Sequence, residues 1–155
     1  MGHYISAIVC KPSANVERLA EFDLPILWMG SYLIVPMDPS HFDDWTERLG
    51  LGWGITESKV SIDGPFAHYL AEIVASGNYA LIETTYAGGV GDQAAAVYEI
   101  GNPAPVFCSE RVKRGAINTA LRLVGVKADI GLDEFDTLGL GQLRDFEDYF
   151  ERYYE

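Results

Sequence analysis

The chain has 155 residues, 48% of them hydrophobic, which suffices to bury the core of one domain spanning residues 1–155. Its formal charge of −12, from 23 acids against 11 bases, opposes phosphate backbones and anionic bilayers, so neither nucleic acid nor a membrane is expected as a direct partner. The amino terminus has no basic segment ahead of a long apolar run, and no stretch reaches the roughly 20 apolar residues of a bilayer span, so the expected location is cytoplasmic.

In chain order, residues 4–10 form an apolar, β-rich run ending at Lys11 and Pro12, the pattern of a buried, central strand. Ser13 can cap a helix through Phe22, with Val16, Leu19 and Ala20 on one face, until Asp23, Leu24 and Pro25 break it. Residues 27–29 and 32–35 read as strands separated by Gly30, either a hairpin or one bulged strand. Asp38 followed by Pro39 predicts a helix start, Phe42, Trp45 and Leu49 its apolar stripe, and Gly50 with Leu51 its left-handed end. Residues 52–64 read as a long loop with one short extended piece. Pro65 then opens a helix carrying Phe66, Leu70, Ile73 and Val74 on one face, to be ended by Gly77 and Asn78.

Residues 79–86 and 93–100 are the clearest strand pair, an antiparallel hairpin across the glycine-bearing segment 87–92. A turn over 101–105 leads to a short strand at Val106 and Phe107. Ile117, Ala120, Leu121 and Val124 mark a further helix, ended by Gly125 and Val126. Residues 131–141 form a glycine-punctuated acidic loop, and 142–153 a last helix with Leu143, Phe146, Phe150 and Tyr153 as its stripe. Helices and strands do not alternate regularly, so the expected fold is α+β, a mixed or antiparallel sheet packed by about five helices.

No residue pattern specifies catalysis, a metal or a cofactor. The glycines of 87–93 lie between two strands, whereas phosphate-binding fingerprints need a strand and a helix. They read as a hairpin link, with a loop whose Asp92 or Gln93 reaches a partner as the alternative. His41 sits among helix-start acids remote from His3 and His68, without paired ligand spacing, and His68 beside Tyr69 reads as a partly exposed or hydrogen-bonded residue. Cys10 and Cys108, both in apolar contexts, read as buried thiols.

Charge is unevenly spread: residues 1–108 carry −9, residues 109–128 carry +4, and residues 129–155 carry −7. Asp133, Glu134, Asp136, Asp145, Glu147, Asp148 and Glu151 thus share the last segment with several aromatics, a combination suited to a basic protein surface or, as the alternative, to an amphipathic terminal helix whose aromatics fill the core while its acids face water. Glu83-Thr84-Thr85-Tyr86 followed by GGVGDQAAAVYE, and Ile117-Asn118-Thr119-Ala120-Leu121 leading into GLDEFDTLGLG, resemble small acidic bacterial proteins of the polymorphic-toxin immunity type, over residues 79–149. That resemblance implies a cytoplasmic inhibitor that binds a cognate toxin domain. The competing expectation is a small-molecule-binding domain or enzyme using the 87–93 loop, with Asp92, Gln93 and Tyr86 around a pocket.

Overall fold

The first apolar run forms strand β1 (His3–Pro12), and its position in the sheet explains why residues on both of its sides are hydrophobic. In the computed structural model, which describes residues 3–22, 24, 27–37, 39–51, 60, 62–87, 90–102, 104–110, 112, 115–128 and 131, β1 lies between β3 (Tyr32–Pro36) and β4 (Ala75–Ala87). With β2 (Leu27–Met29), β5 (Val90–Tyr98) and β6 (Phe107–Cys108) they make one six-stranded sheet in the order β2-β3-β1-β4-β5-β6. Every neighbouring pair is antiparallel. Ala7 to Cys10, Ala80 to Ile82 and Ala94 to Val97 are all fully buried, so the central strands are covered on both faces.

Register assigns the side chains to those faces, because directly paired residues share a side and successive residues alternate. Cys10, Leu33, Tyr79 and Tyr98 line one face, and Val9, Ile34, Ala80 and Val97 the other. On the first lie a 3-10 helix (Val16–Phe22), α1 (Pro39–Arg48) and α2 (Pro65–Val74), locked together by edge-on and stacked contacts among Phe22, Phe42, Trp45, Phe66 and Tyr69. On the second lies α3 (Ala116–Leu123), packed against β4 and β5.

The sheet is therefore antiparallel and the fold α+β, but four helices are present among the described residues where about five were expected. The expected helix at 142–153 lies outside those residues, as do the 131–141 loop beyond Gly131, most of 52–61, and Asp38. The first helix is also shorter and tighter than expected. Ser13 accepts from the Asn15 amide (3.1 Å) but gives its own hydroxyl proton to the Ile73 carbonyl (2.7 Å) and its amide to the Val74 carbonyl (2.6 Å), thereby tying down the end of α2.

Residues 27–35 form a hairpin, not a bulged strand, with Met29 opposite Tyr32. Helix α2 ends at Val74, earlier than its glycine signal, because Ala75 is already extended and paired with Pro12. Gly77 and Asn78 instead fall in an irregularity of β4, where Ser76, Gly77 and Asn78 stand against the single residue Lys11 before pairing resumes at Cys10 and Tyr79. Both expected glycine endings do form. Gly50 and Leu51 donate to the Glu47 and Thr46 carbonyls after α1, and Gly125 and Val126 to those of Arg122 and Leu121 after α3. Cys10 is buried as expected, whereas Cys108 is exposed because β6 is a two-residue edge strand.

Candidate functional site

The densest polar cluster in the described residues sits where α2 begins. Asp63 precedes the extended Gly64 and Pro65, so its carboxylate lies beside the positive end of α2, and five residues later the first turn delivers His68. The β4–β5 register sets Tyr79 directly opposite Tyr98 on the same side of the sheet, with their rings stacked at 5.8 Å. Helix start and hairpin thus place four polar side chains together from three separate segments.

Their hydrogen bonds form a continuous path. Tyr98 donates its hydroxyl to Asp63 Oδ2 (2.5 Å), and His68 Nε2 lies 2.7 Å from Asp63 Oδ1. His68 Nδ1 meets the Tyr79 hydroxyl at 2.5 Å. With the imidazole proton on Nε2, every group has a complementary partner: Tyr79 donates to Nδ1, Nε2–H and Tyr98 donate to the carboxylate. The Asp63 side chain is fully inaccessible and that of His68 is 28% exposed, so the path runs from the surface inward. Burial, and then the Asp63 charge, hold the Tyr79 phenol above its ordinary range. Burial and the hydrogen bond to Asp63 do the same for Tyr98.

Chemically, an aspartate orienting a histidine is the arrangement that prepares a general base, but here the second imidazole nitrogen is occupied by Tyr79. The cluster closes on itself and clamps the 62–64 turn and α2 onto the hairpin. The sequence marks His68 as a partly exposed or hydrogen-bonded residue without identifying its partners, and it is both. Asp63 and the tyrosines lacked any local pattern, and only the hairpin register, fixed by counting back from the glycines, could have aligned Tyr79 with Tyr98.

The residues expected from sequence to contact a partner fall in two groups. Asp133, Glu134, Asp136, Asp145, Glu147, Asp148 and Glu151 lie outside the described residues. Asp92 and Gln93 are strand positions in β5, opposite Thr85 and Thr84, because pairing extends as far as Ala87 and Val90. The separating segment is therefore shorter than 87–92. Gln93 faces α3, where its side-chain oxygen accepts the Ile117 amide at 2.8 Å. That bond supplies the cap that Gly115, lacking a side chain, leaves open at the start of α3. Glu83 and Thr84, within the stretch that carries the resemblance, are both buried.

Among the described residues, charge is sorted by layer. The 3-10 helix, α1 and α2 carry exposed carboxylates at Glu17, Glu21, Asp43, Asp44, Glu47 and Glu72 against only Arg18 and Arg48, and both arginines are paired within the layer, to Glu21 and Asp44. Trp28, paired with Leu33 and so on the same side of the sheet, is 52% exposed on edge strand β2. On the opposite side Lys11 and Arg122 come together, and α3 has no acid. Among the described residues no group of three or more His, Cys, Asp or Glu could hold a metal ion, and no helix is long and apolar enough to cross a membrane. In comparisons with known proteins, no family model, curated protein or solved structure matches the chain.

Proposed function

We propose that the protein is a binding protein that neutralises a basic partner, an immunity-type inhibitor of a cognate toxin domain acting in the cytoplasm. The division of charge across the sheet carries this reading. Six exposed carboxylates with two internally paired arginines leave the α1/α2 layer at −4, a surface that attracts a basic protein over distance. Trp28 at the rim of that side supplies the aromatic anchor that slows dissociation once contact is made. The acids at 133, 134, 136, 145, 147, 148 and 151 would extend the same attraction, while Asp92 and Gln93 are less suited, since Gln93 is engaged with α3.

The test is surface plasmon resonance against the toxic domain of a secreted protein encoded in the adjacent reading frame, at about 50 and 300 mM salt. Reversing Glu17, Asp43, Glu47 and Glu72 to Lys moves the formal charge from −12 to −4. Association should slow about tenfold or more at low salt, with the difference shrinking at high salt. A second variant, with Asp145, Glu147, Asp148 and Glu151 reversed, distinguishes the helical layer from the terminal segment. Absence of binding, or association rates indifferent to salt and to both reversals, would overturn the reading.

A further inference from the structure

The cationic side of the sheet contains a cleft of about 310 Å³ where the irregularity of β4 meets the last turn of α3. Lys11 and Arg122 line it from elements far apart in the chain, together with Ser76, Asn78 and Gly125. We propose that this cleft binds a small dianionic metabolite, with its phosphate held between the Lys11 ammonium and the Arg122 guanidinium. This site is independent of the toxin-binding reading and lies on the opposite face.

Four observations converge on it. Lys11 makes no ion pair among the described residues, although the protein carries twice as many acids as bases. Lys11 is not required to cap α3, because the carbonyls of Ala120, Leu121 and Arg122 already accept amides from Val124, Val126 and Gly125. The cleft is opened by the backbone itself, where three β4 residues stand against one of β1, and this places Ser76 and Asn78 in its lining, with the Ser76 hydroxyl donating to the Lys11 carbonyl at 3.3 Å. Finally, Gly125, at φ +107°, keeps the floor clear: a β-carbon there would come within 3.3 Å of the Lys11 ammonium and 3.1 Å of the Tyr32 hydroxyl.

The net charge of −12 does not forbid an anion here. Screening at physiological ionic strength acts over about 8 Å, and the exposed acids of the 3-10 helix, α1 and α2 lie across the sheet, so they act only weakly on Lys11 and Arg122. The volume falls at the lower end of small-ligand sites, matching a phosphate with a modest organic group better than an extended chain.

Titration of the full chain with inorganic phosphate, followed by amide chemical shifts against sodium chloride at matched ionic strength, tests the proposal. Saturable shifts at Gly77, Asn78 and Gly125 are expected. Lys11→Met and Arg122→Gln should each weaken binding about tenfold, while Lys127→Gln leaves it unchanged. Unaltered shifts elsewhere in the spectrum verify that each variant is folded. A parallel titration with adenosine monophosphate distinguishes the source, since tighter binding than inorganic phosphate identifies a phosphorylated metabolite. Shifts that do not saturate, that chloride reproduces, or that survive both cleft substitutions would refute the site.

Discussion

Replacing Asp63 with Asn is the most informative perturbation of the buried cluster, because it preserves shape and removes only the second acceptor and the charge. In the native arrangement both carboxylate oxygens accept, one from Tyr98 and one from His68, in a side chain closed to solvent. An asparagine can satisfy only one of them with its oxygen, and its amino group then faces a donor. Hydrogen bonds to a charged group contribute about 1.5–3 kcal/mol each, and an unpaired buried donor adds its own desolvation cost. The expected loss is about 2–4 kcal/mol, which for a chain of this size lowers Tm by about 5–15 °C. Urea unfolding should show a lower midpoint with unchanged slope. Tyr98→Phe should cost less, and the double variant should fall short of the sum by about 1 kcal/mol or more, since both substitutions remove the same bond. A variant within about 0.5 kcal/mol of the parent, with additive effects, would refute the assignment of Asp63 as the keystone of the clamp.

Two further predictions concern the same half of the molecule. Burial pushes the Cys10 thiol up to about 12 from its ordinary 9.0, so the folded state resists ionisation while the unfolded chain ionises above about pH 9; stability from this group is complete below that value and falls as pH rises. By pH 10.5 the loss is about 2 kcal/mol, and Cys10→Ala, although less stable at pH 7, should lose that much less between pH 7 and 10.5 in urea titrations; parallel curves would contradict it. Gly64→Ala should destabilise by about 1–3 kcal/mol, since the added carbon would lie 2.7 Å from the Phe42 ring tip, and that ring is buried in the aromatic cluster; an unchanged thermal midpoint would show that the ring yields freely.

The legible parts of the fold are those where a local rule decides the outcome. Gly50 and Gly125 end helices because a left-handed residue there lets two amides reach back to orphan carbonyls, and no distant contact changes that. Likewise the 4–10 run reads as central because only a strand covered on both faces has apolar residues at consecutive positions. Gly77 and Asn78 misled because the same residues suit a helix end and a strand irregularity, and tertiary pairing with β1 chose the latter. The candidate site was almost invisible. Its members lie at positions 63, 68, 79 and 98, and only the register of a hairpin and the docking of α2 bring them together.

Charge illustrates the same limit from the other direction. Sequence blocks place the bases at 109–128 and the acids on either side, which suggests three successive patches along the chain. Among the described residues, folding converts that linear order into two opposed layers, because Lys11, from an acidic block, emerges on the α3 side of β1, while the acids of the 3-10 helix, α1 and α2 gather across the sheet. A helix packs about 10 Å from a sheet, so the two charged surfaces are separated by about 20 Å, more than two screening lengths at physiological salt. Interactions at that separation are nearly additive. The acidic face and the cationic cleft can therefore bind different partners without either field cancelling the other, and failure of one assignment carries no weight against the second.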